Sequence, residues 1–83
     1  MDIRLYSTAG CHLCEHAKVI LWPLLERYRF RLVEIDIASD DSLIEQYGIR
    51  IPVLSAGNTA NELDWPFTSE SVAQFFESLS VKV

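Results

Sequence analysis

The sequence is poor in several residue types, and each scarcity excludes a class of protein. It has only three glycines, three prolines and two cysteines in 83 residues. These counts exclude a collagen, a low-complexity tail and a disulfide-rich secreted scaffold. Basic residues are scarce as well, with seven Lys and Arg against twelve Asp and Glu, for a net charge of −5. We therefore expect no nucleic-acid binding and no docking on an anionic membrane surface.

Long apolar runs are also missing. None approaches the roughly 18 residues that would indicate a membrane-spanning helix. Met1 and Asp2 lead directly into an apolar segment, without the basic and apolar regions of a secretory signal. We therefore expect a cytoplasmic protein, where two cysteines are more often free, catalytic or metal-bound than permanently bridged.

What the sequence does contain is enough for one domain. Apolar residues make up 49% of the chain, which suits a single core, and we expect residues 1–83 to form one monomeric domain. Apolar spacing predicts an α/β protein of order β-α-β-α-β-β-α, a mixed four-stranded sheet with three helices. Strands are expected at residues 3–6, 30–37, 51–55 and 61–65. Helices are expected at residues 11–28, at a short segment capped by residues 39–41 that runs through residues 43–47, and from 68 onward.

Four local signals refine this prediction. Pro23 lies inside the first helix, so we expect a kink there. Gly48 is expected in a left-handed conformation that ends the second helix. A turn at residues 56–58 should join the last two strands as a hairpin, and Thr68 should cap the last helix. The aromatic rings expected to serve packing in the core or at its rim are Trp22, Trp65 and Phe67. The alternative for those near the cysteines is an apolar docking surface for a protein substrate.

The strongest chemical signal is Cys11-His12-Leu13-Cys14, at the junction between a loop and a helix. Residues three apart on a helix are about 300° apart in rotation, so the two sulfurs lie on nearly the same side. Unpaired N–H groups and the positive end of the helix dipole favour a thiolate at Cys11. We therefore predict Cys11 as nucleophile and Cys14 as resolving thiol. The alternative is two unrelated core cysteines.

This motif and a second segment, residues 47–54 (Tyr-Gly-Ile-Arg-Ile-Pro-Val-Leu), resemble the thioredoxin superfamily. The small size is similar to that of small glutaredoxin-like proteins whose substrates are poorly defined. The resemblance implies a thioredoxin/glutaredoxin-like fold in which Pro52 is cis and packs against Cys11 and Cys14. It also implies that the backbone of Ile51 binds an incoming peptide or glutathione. The alternative for Pro52 is an ordinary trans proline at the start of a strand.

The sequence departs from glutaredoxins where glutathione would dock. Residues 64–70 lack the glycine pair that glutaredoxins carry, and bulky rings stand there instead. Thr68 and Ser69 offer a helix N-terminus to a carboxylate, but Glu70 would repel one. We therefore expect no tightly bound cofactor, with glutathione serving only as a weak reductant or co-substrate.

Two histidines accompany the cysteines. A protonated His12 would favour the Cys11 thiolate, so we assign it a tuning role. His16 lies about 200° around the helix from Cys14 and is expected to be solvated. We therefore expect no closed metal site on this helix. A site with two cysteines completed by a second molecule or by glutathione stays open as an alternative.

Together these observations predict a thiol–disulfide oxidoreductase that acts on protein or small-molecule disulfides. Two alternatives on the same scaffold are a non-enzymatic metal or iron–sulfur carrier, and a protein-binding adaptor whose cysteines are dispensable.

Overall fold

A computed structural model describes residues 2–56 and 61–80 of the chain. Its elements follow the predicted order β-α-β-α-β-β-α, and that prediction is confirmed. The strands are β1 (Asp2–Ser7), β2 (Arg31–Asp36), β3 (Val53–Ala56) and β4 (Glu62–Asp64), and the helices are α1 (His12–Tyr28), α2 (Asp41–Tyr47) and α3 (Ser69–Ser80), with a 3₁₀ turn at Ile37–Ser39. None of the helices in these ranges is long and apolar enough to cross a membrane.

The four strands form one mixed sheet in the order β2-β1-β3-β4. The first two strands are parallel, with Ser7 opposite Asp36, and the other neighbours are antiparallel, with Val53 opposite both Tyr6 and Asp64. One end of the sheet, across the strand direction, is therefore formed by the last residues of β1, β2 and β4 and by the first residue of β3. We call this the cysteine edge, because the loop to Cys11 leaves β1 there.

Alternation along the strands gives the sheet two apolar faces. On one face, Ile3, Leu5 and Leu54 pack with the buried sides of α1 and α3. On the other, Tyr6 and Val53 pack with residues of the 3₁₀ turn and α2. The sheet is thus covered by two helices on one side and by one on the other.

Helix α1 runs on past Pro23 and ends at a residue that the sequence pattern does not single out. Arg29 is left-handed, with φ of 59°, a conformation that glycine more often adopts at a helix end. Its N–H donates to Glu26 and the N–H of Phe30 donates to Leu25, so two terminal carbonyls of the helix are satisfied. This ending directs the chain into β2.

The prediction for Gly48 is wrong. Its φ is −51°, because the chain keeps turning in the right-handed sense after α2, with the N–H groups of both Arg50 and Ile51 donating to Tyr47. Glycine is needed for another reason. A Cβ at this position would lie 2.5 Å from the carbonyl oxygen of Ile44.

Strand boundaries also differ from the prediction. Ile37 leaves β2 for the 3₁₀ turn because the Asp36 carboxylate accepts from the N–H of Ala38 and caps that turn. Strand β3 begins at Val53, after Pro52, which has no N–H for a strand ladder. Trp22 is 54% exposed, so it does not lie in the core. The predicted turn at residues 56–58 falls largely outside the described residues.

Candidate active site

Cys11 and Cys14 are joined by a disulfide, with their Cα atoms 5.3 Å apart. The bond lies where the loop from β1 enters α1, at the cysteine edge. Cys14 is 2% exposed and belongs to the core, whereas Cys11 is partly exposed. The two sulfurs that were predicted to lie close together are therefore bonded, and Cys11 is the one nearer to solvent.

Cys11 occupies the capping position of α1. Its backbone is extended, and its sulfur accepts the N–H of Cys14 at 3.1 Å. This is the place that Ser, Thr, Asp or Asn usually fills, where a side chain satisfies one of the free N–H groups of the first turn. A sulfur at this position lies at the positive end of the helix dipole, which stabilises a thiolate.

A cavity of about 300 Å³ adjoins Cys14 on the side facing β2. Lys18 projects into it and forms ion pairs with Glu34 at 2.8 Å and Glu15 at 3.4 Å. The hydrogen bond to Glu34 is the main reason that the pKa of Lys18 is raised. The other residues that line the cavity are Ser7, Thr8, Ala9, Gly10 and Asp36. Four ionisable side chains therefore line the same cavity as Cys14, an arrangement that was not predicted from the sequence.

The Ile51–Pro52 peptide bond is cis, and Pro52 is buried. The N–H of Ile51 donates to the carbonyl of Tyr47 at 3.1 Å. This donor is therefore used inside the protein, which reduces what the Ile51 backbone offers to a bound strand. Contact between Pro52 and the cysteines stays a prediction.

A polar network fixes the segment that precedes Ile51. The guanidinium of Arg50 donates to Glu62 and Asp64 at 2.8 Å each, and the hydroxyl of Tyr47 donates to Glu62 at 2.6 Å. The ring of Tyr47 stacks on Tyr6 at 4.1 Å. This network was not predicted from the sequence, although the alternation of β4 places Glu62 and Asp64 on the same face of the strand.

The network also shifts the ionisation of its members. Burial and then the hydrogen bond to Glu62 raise the pKa of Tyr47. The Tyr47 hydroxyl and then Arg50 lower the pKa of Glu62. Hydrogen bonds to Asp64 and Glu62 raise the pKa of Arg50 further. At neutral pH these shifts keep Glu62 ionised, Arg50 charged and the Tyr47 phenol neutral.

The segment after β4 is built around aromatic rings and a second cis bond, Trp65–Pro66. The indole of Trp65 packs edge-on against buried Phe67 at 5.2 Å, and its centroid lies 5.7 Å from the ring of His16. His16 is exposed, as expected for a solvated residue, but it also contacts this indole. His12 is exposed in the first turn of α1, and its tuning role stays a prediction.

Thr68 caps α3, as predicted. Its hydroxyl accepts from the N–H of Ser71 at 3.0 Å, and its own N–H donates to the Ser71 hydroxyl at 2.9 Å. Ser69 and Glu70 follow as exposed residues of the first turn. These reciprocal bonds occupy the N–H groups of Thr68 and Ser71. Two of the donors that could bind a carboxylate at the start of α3 are therefore already paired within the chain.

No group of three or more His, Cys, Asp or Glu side chains suited to a metal ion occurs in residues 2–56 and 61–80.

Comparison with known proteins places this geometry in a family. Protein XcR50 from X. campestris is 31% identical over 92% of this chain and 96% of its own, with a TM-score of 0.76. Protein Ne2328 from Nitrosomonas europaea is 32% identical over 89% of this chain and 88% of its own, with a TM-score of 0.77.

A more distant structure, a mutant thioredoxin from Halobacterium salinarum, shares the fold at 20% identity. Its TM-score is 0.75, over 99% of this chain and 76% of its own. The family model described as Glutaredoxin-like domain (DUF836) matches residues 2–77. The chain therefore belongs to this glutaredoxin-like family and has the thioredoxin fold.

Proposed function

We propose that the protein is a thiol–disulfide oxidoreductase in which Cys11 is the nucleophile and Cys14 the resolving thiol. One observation carries this proposal: the two cysteines form a disulfide in which Cys11 caps α1 and Cys14 is buried behind it. A structural bridge needs no such placement, whereas a sulfur that attacks substrate needs an accessible position and a stabilised thiolate.

The cycle begins with the reduced pair. The Cys11 thiolate attacks one sulfur of a substrate disulfide, the substrate S–S bond breaks, and the leaving sulfur departs as a thiolate that takes up a proton. Cys14 then loses its proton and attacks Cys11, which releases the second substrate thiol and leaves the Cys11–Cys14 bridge. Two electrons have passed to the substrate, and a thiol reductant returns them to the protein.

The start of α1 supports a thiolate at Cys11. The N–H of Cys14, in the first turn of α1, donates to its sulfur, the helix dipole favours negative charge at this end, and a protonated His12 next to it in sequence would add to this effect. We place the cycle in the cytoplasm, where thiols are kept reduced, and propose that the protein works as a monomer.

For substrate binding we propose the surface around Ile51, Pro52, Thr68 and Ser69. Glutathione is at most a weak co-substrate there, because the Ile51 N–H already donates to Tyr47 and Thr68 is paired with Ser71. A tripeptide held mainly by backbone N–H groups loses most when such donors are taken. Protein disulfides, or small disulfides that need few such bonds, are the proposed substrates.

The test is turnover of a disulfide by the reduced protein with a thiol reductant. The proposal expects Cys11→Ser to abolish turnover and Cys14→Ser to stop after one mixed disulfide, while the exposed Ser78→Ala, a matched control away from the cysteines, keeps full activity. If Cys11→Ser still binds a partner and no variant turns over disulfides, an adaptor is supported instead. Iron or another metal retained after anaerobic purification, with both cysteines needed to hold it, would support a carrier.

A further inference from the structure

Three arginines lie far from the cysteines along the direction of the strands. The arginines Arg27 and Arg29 lie at the end of α1 and Arg31 at the start of β2, at the edge opposite the cysteines. A strand of six residues spans about 17 to 20 Å. Because charges are screened over about 8 Å at physiological ionic strength, these arginines do little to offset the potential at the cysteine edge.

The cysteine edge itself carries an excess of carboxylates. In the cavity beside Cys14, Lys18 is held between Glu15 and Glu34, and Asp36 adds another negative charge. Both ion pairs share the one ammonium group of Lys18. An anion that enters the cavity therefore meets carboxylates and a lysine that is already paired.

The other side of the same edge repeats this arrangement. The guanidinium of Arg50 is held by both Glu62 and Asp64, and Asp64 ends β4 opposite Val53, the first residue after Pro52. Arg50 is the cation nearest in sequence to Ile51, and its pairing removes it as a receptor for a substrate carboxylate. Glu70, in the first turn of α3, adds a further exposed charge.

We propose that the disulfide exchanged at Cys11 comes from a cationic partner, a protein segment with lysine or arginine beside its own disulfide. This rests on the proposed oxidoreductase function and names its substrate class. The carboxylates at the cysteine edge attract a positive partner and repel a negative one, which changes the rate of encounter more than the chemistry. Glutathione disulfide, with more carboxylates than amines, is disfavoured by the same field.

The experiment uses three small disulfides of different charge: cystamine (cationic), hydroxyethyl disulfide (neutral) and dithiodiglycolate (anionic). The full chain is reduced, freed of reductant and mixed with each at about pH 8, where an ordinary imidazole is neutral. Oxidation is followed at about 20 mM and about 300 mM salt. Each rate is divided by that of a neutral cysteine peptide, which corrects for intrinsic reactivity and for the charge of a lone thiolate.

The proposal expects the corrected rate for cystamine to exceed that for dithiodiglycolate by about tenfold or more at low salt, with hydroxyethyl disulfide between them. At high salt the corrected rates should converge. A corrected ratio of one or less at low salt, or a ratio that salt leaves unchanged, overturns the charge preference. If none of the three disulfides oxidises the cysteines, the proposed oxidoreductase function itself fails.

Substitutions locate the source of the preference. In the double variant Glu15→Gln and Glu70→Gln, both exposed positions lose a charge, and the cystamine preference should fall by about threefold. Glu26→Gln, at the opposite end of α1, is the matched control and should leave the preference unchanged. The double variant removes two charges and this control one, so the same effect per charge removed would show that net charge, not the cysteine edge, governs the rates. Circular dichroism checks that the variants fold. The comparison of low and high salt uses the natural protein alone and does not depend on any variant.

Discussion

Arg50 donates to Glu62 at 2.8 Å, and this bond ties the residue before Ile51 to the edge strand β4. The same carboxylate accepts the Tyr47 hydroxyl, so the turn between α2 and β3 is held at both of its ends. The segment on which substrate binding is proposed is therefore fixed by side chains whose bonds run to β4 and not to the cysteines.

Removing the guanidinium should loosen this segment. We expect Arg50→Met to lower the free energy of unfolding by only about 1 kcal/mol, because Arg50 is about one-third exposed and its ion pairs are partly screened. It should also raise the KM for a protein disulfide several-fold while kcat changes little. Urea unfolding and steady-state kinetics measure the two effects.

The matched control is Arg31→Met, since Arg31 pairs with Asp2 at 4.0 Å with both side chains exposed. That change should cost less than about 0.5 kcal/mol and leave KM unchanged. Similar KM values for the two variants would contradict a positioning role for Arg50.

The lowered pKa of Glu62 predicts a specific dependence of stability on pH. Its carboxylate is stabilised in the folded protein by Tyr47 and Arg50. The contribution is therefore fully present above the ordinary glutamate pKa of about 4.3, and it is lost as pH falls through the lower folded value. Glu62→Gln should be less stable than the natural protein at pH 7, and the gap should shrink in acid.

Urea unfolding of both proteins from neutral pH down to about pH 3 measures this gap. A gap of constant size would show that charge at Glu62 contributes nothing, and a gap that widens in acid would reverse the sign of the pKa shift.

The architecture was predictable because it depends on local patterns. Alternation in residues 31–36 and the three- and four-residue spacing in α1 specify their elements whatever surrounds them. Thr68 was identified as a cap because a hydroxyl before a helix acts on the nearest backbone N–H groups. These signals lie within a few residues of the structure they produce.

The features that were missed depend on distant residues. Gly48 was expected to be left-handed, but the bonds from Arg50 and Ile51 to Tyr47 continue the right-handed turn. The pairing of Arg50 with Glu62 and Asp64 requires the register of β3 with β4, which spacing alone does not give. The sequence could indicate which residues are reactive, but not which charges the fold gathers around them.

Alkylation should distinguish the two cysteines of the reduced protein. Cys11 caps the helix and is partly exposed, whereas Cys14 is buried, so iodoacetamide near neutral pH should label Cys11 first. Peptide mapping by mass spectrometry at short times measures the order, and the same reaction in urea, where both thiols are free, is the control. Preferential labelling of Cys14 would reverse the proposed roles.

Glutathione should bind only weakly to the reduced protein. The donors at Ile51 and Thr68 are already engaged within the chain, and Glu70 adds a like charge near the helix start. In an NMR titration we expect no saturation below millimolar concentrations. Saturable shifts at Ile51 and Thr68 at lower concentrations would show that these donors are released on binding.

The most direct test of the central claim is trapping of the mixed disulfide. Reduced Cys14→Ser is mixed with hydroxyethyl disulfide, and mass spectrometry with peptide mapping locates the adduct. The account predicts one mercaptoethanol adduct on Cys11, no comparable adduct in Cys11→Ser over the same time, and a closed Cys11–Cys14 bridge without adduct in the natural protein. An adduct that forms on Cys14 of Cys11→Ser at the same rate would contradict it.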